Sequence, residues 1–122
     1  MRRPEQALQK SVIQYLDTVL PATAWAFHVP NGGGRSKIEA GILKAMGVRP
    51  GIPDLCVIWQ GRAYWIELKA GKGRASAAQV AAHARLAECG CCPVATCRSI
   101  DDVATALLVY GIPSRDVRRA AA

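Results

Sequence analysis

Asp54, Glu67 and Lys69 are the residues of this chain whose types and spacing suit chemistry. Glu67 and Lys69 stand two apart in a β-type run, so side-chain alternation puts both on one face while Ile66 and Leu68 turn to the other, toward a core. Asp54 opens an earlier run, Asp54 to Gln60, joined to the second, Ala63 to Lys69, by Gly61-Arg62, which is the pattern of a tight hairpin. With Gly61-Arg62 as a two-residue turn, Gln60 pairs with Ala63, Asp54 falls across from Lys69, and Glu67 becomes a diagonal neighbour. A slip of one residue would send Asp54 to the opposite face unless a bulge compensates.

Two carboxylates at close range repel each other and call for a cation between them, and hard oxygen donors suit Mg²⁺ or Mn²⁺. Phosphodiester hydrolysis uses such parts: a metal to polarise the phosphate and acidify a water, and a lysine beside the water or the developing charge. The plainer alternative is that Asp54 caps the start of its strand after Pro53 while Glu67 and Lys69 belong to an exposed polar face.

At 122 residues the chain has room for one core, and 51% hydrophobic with 20% charged residues is the composition of a folded domain. Lys and Arg outnumber Asp and Glu by 16 to 9, and the resulting +7 favours a polyanionic partner such as nucleic acid. No run reaches the roughly 18 apolar residues of a membrane span, so no membrane partner is expected. The five cysteines are odd in number, and no apolar stretch follows a basic start, so a reduced, cytoplasmic setting is expected. Cys89, Cys91, Cys92 and Cys97 invite a zinc reading, but they lack paired C-x₂-C units and a nearby histidine, so buried thiols are the better expectation.

Around the hairpin, apolar spacing predicts a helix from Pro4 to Leu20 that ends before Pro21, a strand from Ala24 to Val29, and a helix from Ser36 to Met46 capped by Gly47. After the hairpin, Ser76 with Gln79 resembles a capping box and opens a third helix running to Gly90. Pro93 to Cys97 reads as a last strand, and Ser99 with Asp102 opens a helix that stops at Gly111. Strands and helices are mixed, so an α/β domain around a central sheet is expected over residues 1–112, followed by a basic, flexible tail over 113–122.

Asn31 to Ser36 forms a glycine-rich loop able to approach DNA closely, with Arg35 as a forked phosphate donor, or else a plain connection. Lys44, Lys72 and Arg74, with Arg49, would add phosphate contacts if they surround the site. His28 and His83 belong to no recognisable motif, so packing or surface roles are expected for both, and burial is expected for Trp25, Trp59 and Trp65.

Pro53-Asp54 followed by Glu67-Leu68-Lys69 after a hairpin resembles the PD-(D/E)xK nuclease superfamily. With Glu5, Pro30-Asn31-Gly32-Gly33, Arg35-Ser36, Gly47, Gly51-Ile52-Pro53 and Ser76 with Gln79, the chain resembles one branch of it, the VRR-NUC domain, over roughly residues 4 to 110. The resemblance implies a restriction-endonuclease-like core with about four strands in a mixed sheet. It implies a Mg²⁺- or Mn²⁺-dependent deoxyribonuclease, with Asp54, Glu67, the Leu68 carbonyl and Glu5 as metal ligands. Lys69 would orient or activate water, and Gln79 would sit beside the lysine or the phosphate if it is not simply a helix cap. Branched or junction DNA and a homodimer are expected, in bacteria or in a phage within its bacterial host. The alternative is a non-catalytic DNA-binding or assembly module that keeps the fold.

Overall fold

A computed structural model describes residues 3–30 and 36–116. The elements are α1 (Arg3–Val19), β1 (Ala24–His28), α2 (Lys37–Ala45), β2 (Leu55–Trp59), β3 (Arg62–Leu68), α3 (Ala77–Glu88), β4 (Ala95–Cys97) and α4 (Ile100–Tyr110). Four strands form one mixed sheet in the order β1-β2-β3-β4, antiparallel except for the parallel β3–β4 pair.

One face of the sheet holds the core. Val12, Leu16, Val19 and Leu20 of the first helical segment recur at helical spacing and pack with Val103, Ala106 and Leu107 of α4 against Ala26, Leu55, Val57, Tyr64, Ile66, Leu68 and Cys97. Ser99 caps α4 by accepting from the Asp102 amide at 3.1 Å, and Gly111 ends it in the left-handed region. The opposite face is left to α3, which has no buried residue of its own. No helix among the described residues is long and apolar enough to cross a membrane.

The hairpin differs from expectation by two residues. Trp59 pairs with Arg62, so the turn is Gln60-Gly61, with φ of 50° and 75°. A two-residue turn matching strand twist needs positive φ at both positions; Gly61 takes the second at no cost, whereas a Gly61-Arg62 turn would have put arginine there. Leu55 now pairs with Ile66, and the next step of the ladder brings Asp54 opposite Glu67 instead of Lys69. Because strand side chains repeat every second residue, the displacement keeps Asp54 on the same face as Glu67 and Lys69.

The segment expected as a tail begins tied down. The Arg115 amide donates to the Val19 carbonyl at 2.8 Å, its guanidinium reaches the Leu20 carbonyl at 3.1 Å, and the Tyr15 hydroxyl donates to buried Asp116 at 2.5 Å. These bonds fasten residues 115 and 116 to the end of α1, and residues 117–122 lie outside the described residues. Of the tryptophans, Trp59 packs against the core, but Trp25 is 70% exposed, with its ring 5.2 Å from that of Phe27 between centres.

Candidate active site

Asp54 lies just before β2, and its main chain is held from β1: its carbonyl accepts the Val29 amide at 2.9 Å and lies 2.8 Å from Nδ1 of His28. His28 thus has a positioning role that its isolation in the sequence concealed. The Asp54 carboxylate reaches across the hairpin, where Oδ2 accepts the Leu68 amide at 2.7 Å. That bond orients the carboxylate over β3, beside the side chain of Glu67.

Glu67 and Lys69 are buried, at 1% and 8% exposure, so they are not part of a solvated polar face. Burial disfavours the charged carboxylate, and the negative charge of Asp54 and a hydrogen bond with it add to the effect. Lys69 pulls the other way, Glu5 pushes up again, and the net result holds Glu67 at a pKa of about 8. Glu5 stands in the first turn of α1, from where its charge is felt at Glu67.

Gln79 joins these groups. Its Oε1 accepts from Nζ of Lys69 at 2.7 Å and from the Ser76 amide at 2.9 Å, and its Nε2 donates to Oε2 of Glu67 at 2.9 Å. The capping box with Ser76 is also complete, so the same side chain serves as helix cap and as site residue. Lys69 Nζ lies 3.9 Å from Oε2 of Glu67, while the other oxygen, Oε1, is buried with no hydrogen-bond partner.

A divalent cation fits this donor set. The two adjacent carboxylates have one ammonium beside them, Lys69, which stands at Oε2 of Glu67, and the orphaned, buried Oε1 is costly unless something positive meets it. Among the described residues no group of three or more His, Cys, Asp or Glu forms a ready-made cage, so bound water and main-chain oxygen would complete the coordination, as Mg²⁺ commonly requires. Of the four cysteines expected as buried thiols only Cys97 is buried, Cys91 and Cys92 being half-buried and Cys89 exposed; burial pushes Cys97 up to about 12 and the buried Cys56 of β2 up to about 11.

One solved structure, described as a "VRR_NUC domain protein", is similar to this chain with a TM-score of 0.65 and 27% sequence identity, over 90% of this chain and 89% of the other. A second, described as "VRR_NUC domain", matches with a TM-score of 0.57 and 21% identity, over 89% of this chain and 98% of its own. This chain has the VRR-NUC fold. No family model and no curated protein matches it.

Within the VRR-NUC fold, Asp54, Glu67, Lys69 and Gln79 come together as expected. The remaining candidates are more scattered. Ser36 uses its hydroxyl to cap α2, accepting from the Glu39 amide at 3.1 Å, and Lys44 is exposed in the last turn of the same helix. Lys72 and Arg74 are exposed on the loop that leaves β3, a loop braced by Arg98, which donates to the Gly71 carbonyl at 2.8 Å. Asn31 and Arg35 lie outside the described residues. His83 was not expected at the site, yet its Nε2 lies 3.7 Å from Oε1 of Glu67. The signal was present in the sequence: His83 follows Gln79 by four residues, which puts the two on one helix face.

Gly51 fixes the VRR-NUC loop that delivers Asp54. It is buried at φ of 79°, and a Cβ there would stand 2.2 Å from the Ala78 carbonyl oxygen and 2.7 Å from the Gln79 amide nitrogen. The clash is with backbone, so α3 would have to move. Gly51→Ala combines left-handed strain with overpacking, and we expect a loss of about 2–5 kcal/mol, seen as a melting temperature lower by roughly 10 °C or more. A melting curve that overlays the wild type would show that the loop and α3 are not in such contact.

Proposed function

We propose that this chain is a metal-dependent DNA endonuclease that hydrolyses phosphodiester bonds, with a preference for branched or junction DNA. The observation that carries the reading is the convergence of Asp54, Glu67 and Lys69, with Gln79 bound to both Glu67 and Lys69. The VRR-NUC fold and the +7 charge support the same reading.

Asp54 and Glu67, with the Leu68 carbonyl and Glu5 beside them, would hold the Mg²⁺ or Mn²⁺ ion. When bound, that ion polarises the phosphate and lowers the pKa of an attacking water. Lys69, desolvated and fixed by Gln79, orients the water and offsets negative charge as the phosphorus centre becomes five-coordinate. The water attacks in line with the leaving oxygen, so no covalent intermediate with the protein forms. Lys72, Arg74 and Lys44 are exposed cations available to phosphates flanking the scissile bond, and Asn31, Arg35 and Ser36 would add further DNA contacts. Cutting both strands of a junction calls for two such sites and hence a homodimer.

The test is cleavage of labelled linear, flapped and four-way-junction DNA by the wild type and by Asp54→Asn, with Mg²⁺, with Mn²⁺ and with EDTA. Metal-dependent cutting, greatest on the branched substrates and absent in Asp54→Asn, is expected. Tight binding without cutting on every substrate would instead identify a DNA-binding or assembly module that has kept the fold.

A further inference from the structure

α3 lays two polar side chains, one helical turn apart, along the two oxygens of the Glu67 carboxylate. Gln79 takes Oε2 at 2.9 Å. His83 faces Oε1 with its Nε2 at 3.7 Å, beyond hydrogen-bond range, and neither Oε1 nor Nε2 has a hydrogen-bond partner although both atoms are buried. Two buried polar atoms left facing each other cost free energy that a matching group between them would recover.

The size of the gap limits what that group is. A bridging water with ordinary hydrogen bonds of about 2.8 Å on both sides would hold the atoms roughly 4.5 Å apart. A cation bound to each atom at about 2.1 Å would hold them about 3.0 Å apart at a right angle and about 3.6 Å apart at 120°. The observed 3.7 Å is too short for such a water bridge and lies close to the spacing of two ligands that share one ion at an open angle of about 120°. Imidazole nitrogen is a poor partner for Mg²⁺, which prefers oxygen, and a good one for first-row transition ions.

We propose that His83 binds the active-site cation through Nε2 alongside Oε1 of Glu67, making a mixed nitrogen and oxygen site that favours a transition ion such as Mn²⁺ over Mg²⁺. The inference rests on reading Asp54 and Glu67 as the metal site of a nuclease. In it α3 acts twice, since Gln79 ties the carboxylate to Lys69 and His83 selects the ion.

The experiment titrates Mn²⁺ and Mg²⁺ into the full chain by calorimetry and records the electron spin-echo modulation of the Mn²⁺-loaded protein, which detects a nitrogen nucleus bonded to the ion. Nitrogen coupling is expected in the wild type and lost in His83→Ala, with Mn²⁺ affinity lower by at least about tenfold and Mg²⁺ affinity nearly unchanged. His83→Gln, which keeps a polar side chain of similar length, should also lose the coupling, and circular dichroism checks that the helix persists in both. Asp54→Asn should lose both ions. Mn²⁺ binding that shows no nitrogen coupling, or that survives His83→Ala intact while Asp54→Asn abolishes it, overturns the role of His83 and leaves the metal site standing. Absence of binding of either ion to the wild type overturns both.

Discussion

Lys69→Ala is expected to lower the rate of DNA cleavage by about 10²–10⁴-fold while changing DNA affinity only a few-fold, because a buried cation fixed beside the reacting groups acts on the transition state and not on binding. The ammonium is 8% exposed and held at 2.7 Å by Oε1 of Gln79, so it is not one of the solvated charges that set affinity for phosphates. The substitution does not strand Gln79, whose Oε1 keeps the Ser76 amide at 2.9 Å, and Nε2 keeps Glu67. The site should therefore keep its shape and its metal. Single-turnover cleavage with fluorescence anisotropy on the same junction substrate separates the two effects. Cleavage within tenfold of the wild type would remove Lys69 from the chemistry, and a parallel fall in affinity would make it a binding residue.

Glu67→Gln should change the pH dependence of stability in the metal-free protein. The folded state holds Glu67 at about 8 against an ordinary value of 4.5, chiefly through burial and then through the charge of Asp54. Between those two values the folded chain keeps a proton that the unfolded chain has released, so stability falls as pH rises through this window and is lowest above it. The total is on the order of a few kcal/mol. Glutamine cannot ionise, so the variant should be the more stable protein at pH 8 and nearly level with the wild type at pH 4.5. Thermal melts across that range decide the matter, and adding Mn²⁺ at pH 8 should raise the melting temperature of the wild type more than that of the variant. Parallel melting profiles for the two proteins would show that Glu67 is not strained by burial.

The α/β order of elements and the grouping of Asp54, Glu67 and Lys69 were legible because they depend on two periodicities, 3.6 and 2.0, that the residues display directly. The hairpin turn was misplaced because glycine and its neighbour can fill either position of a short turn, and the consequence was mild only because the error was an even number of residues. Gln79 could be read either as a cap or as a site residue, and the chain uses one amide for both, a combination that pattern alone does not reveal. His83 was passed over because a lone histidine carries no motif; its meaning comes from which carboxylate oxygen Gln79 leaves free. Residues 115 and 116 were expected to fray because their attachment is to main-chain oxygens of Val19 and Leu20 and to the hydroxyl of Tyr15, nearly a hundred positions earlier.

Gly51 also has a genetic side. Any missense change at its codon adds a side-chain carbon, and the first atom of every such side chain meets the backbone at the start of α3. The position therefore has no conservative replacement: alanine and serine suffer the same collision as arginine. A single-nucleotide change there would be expected to inactivate the protein while Asp54, Glu67, Lys69 and the basic residues remained intact in the sequence. Inactive alleles recovered in a genetic screen would thus be expected to cluster at two kinds of codon, those that supply the chemistry and this one, which supplies only room.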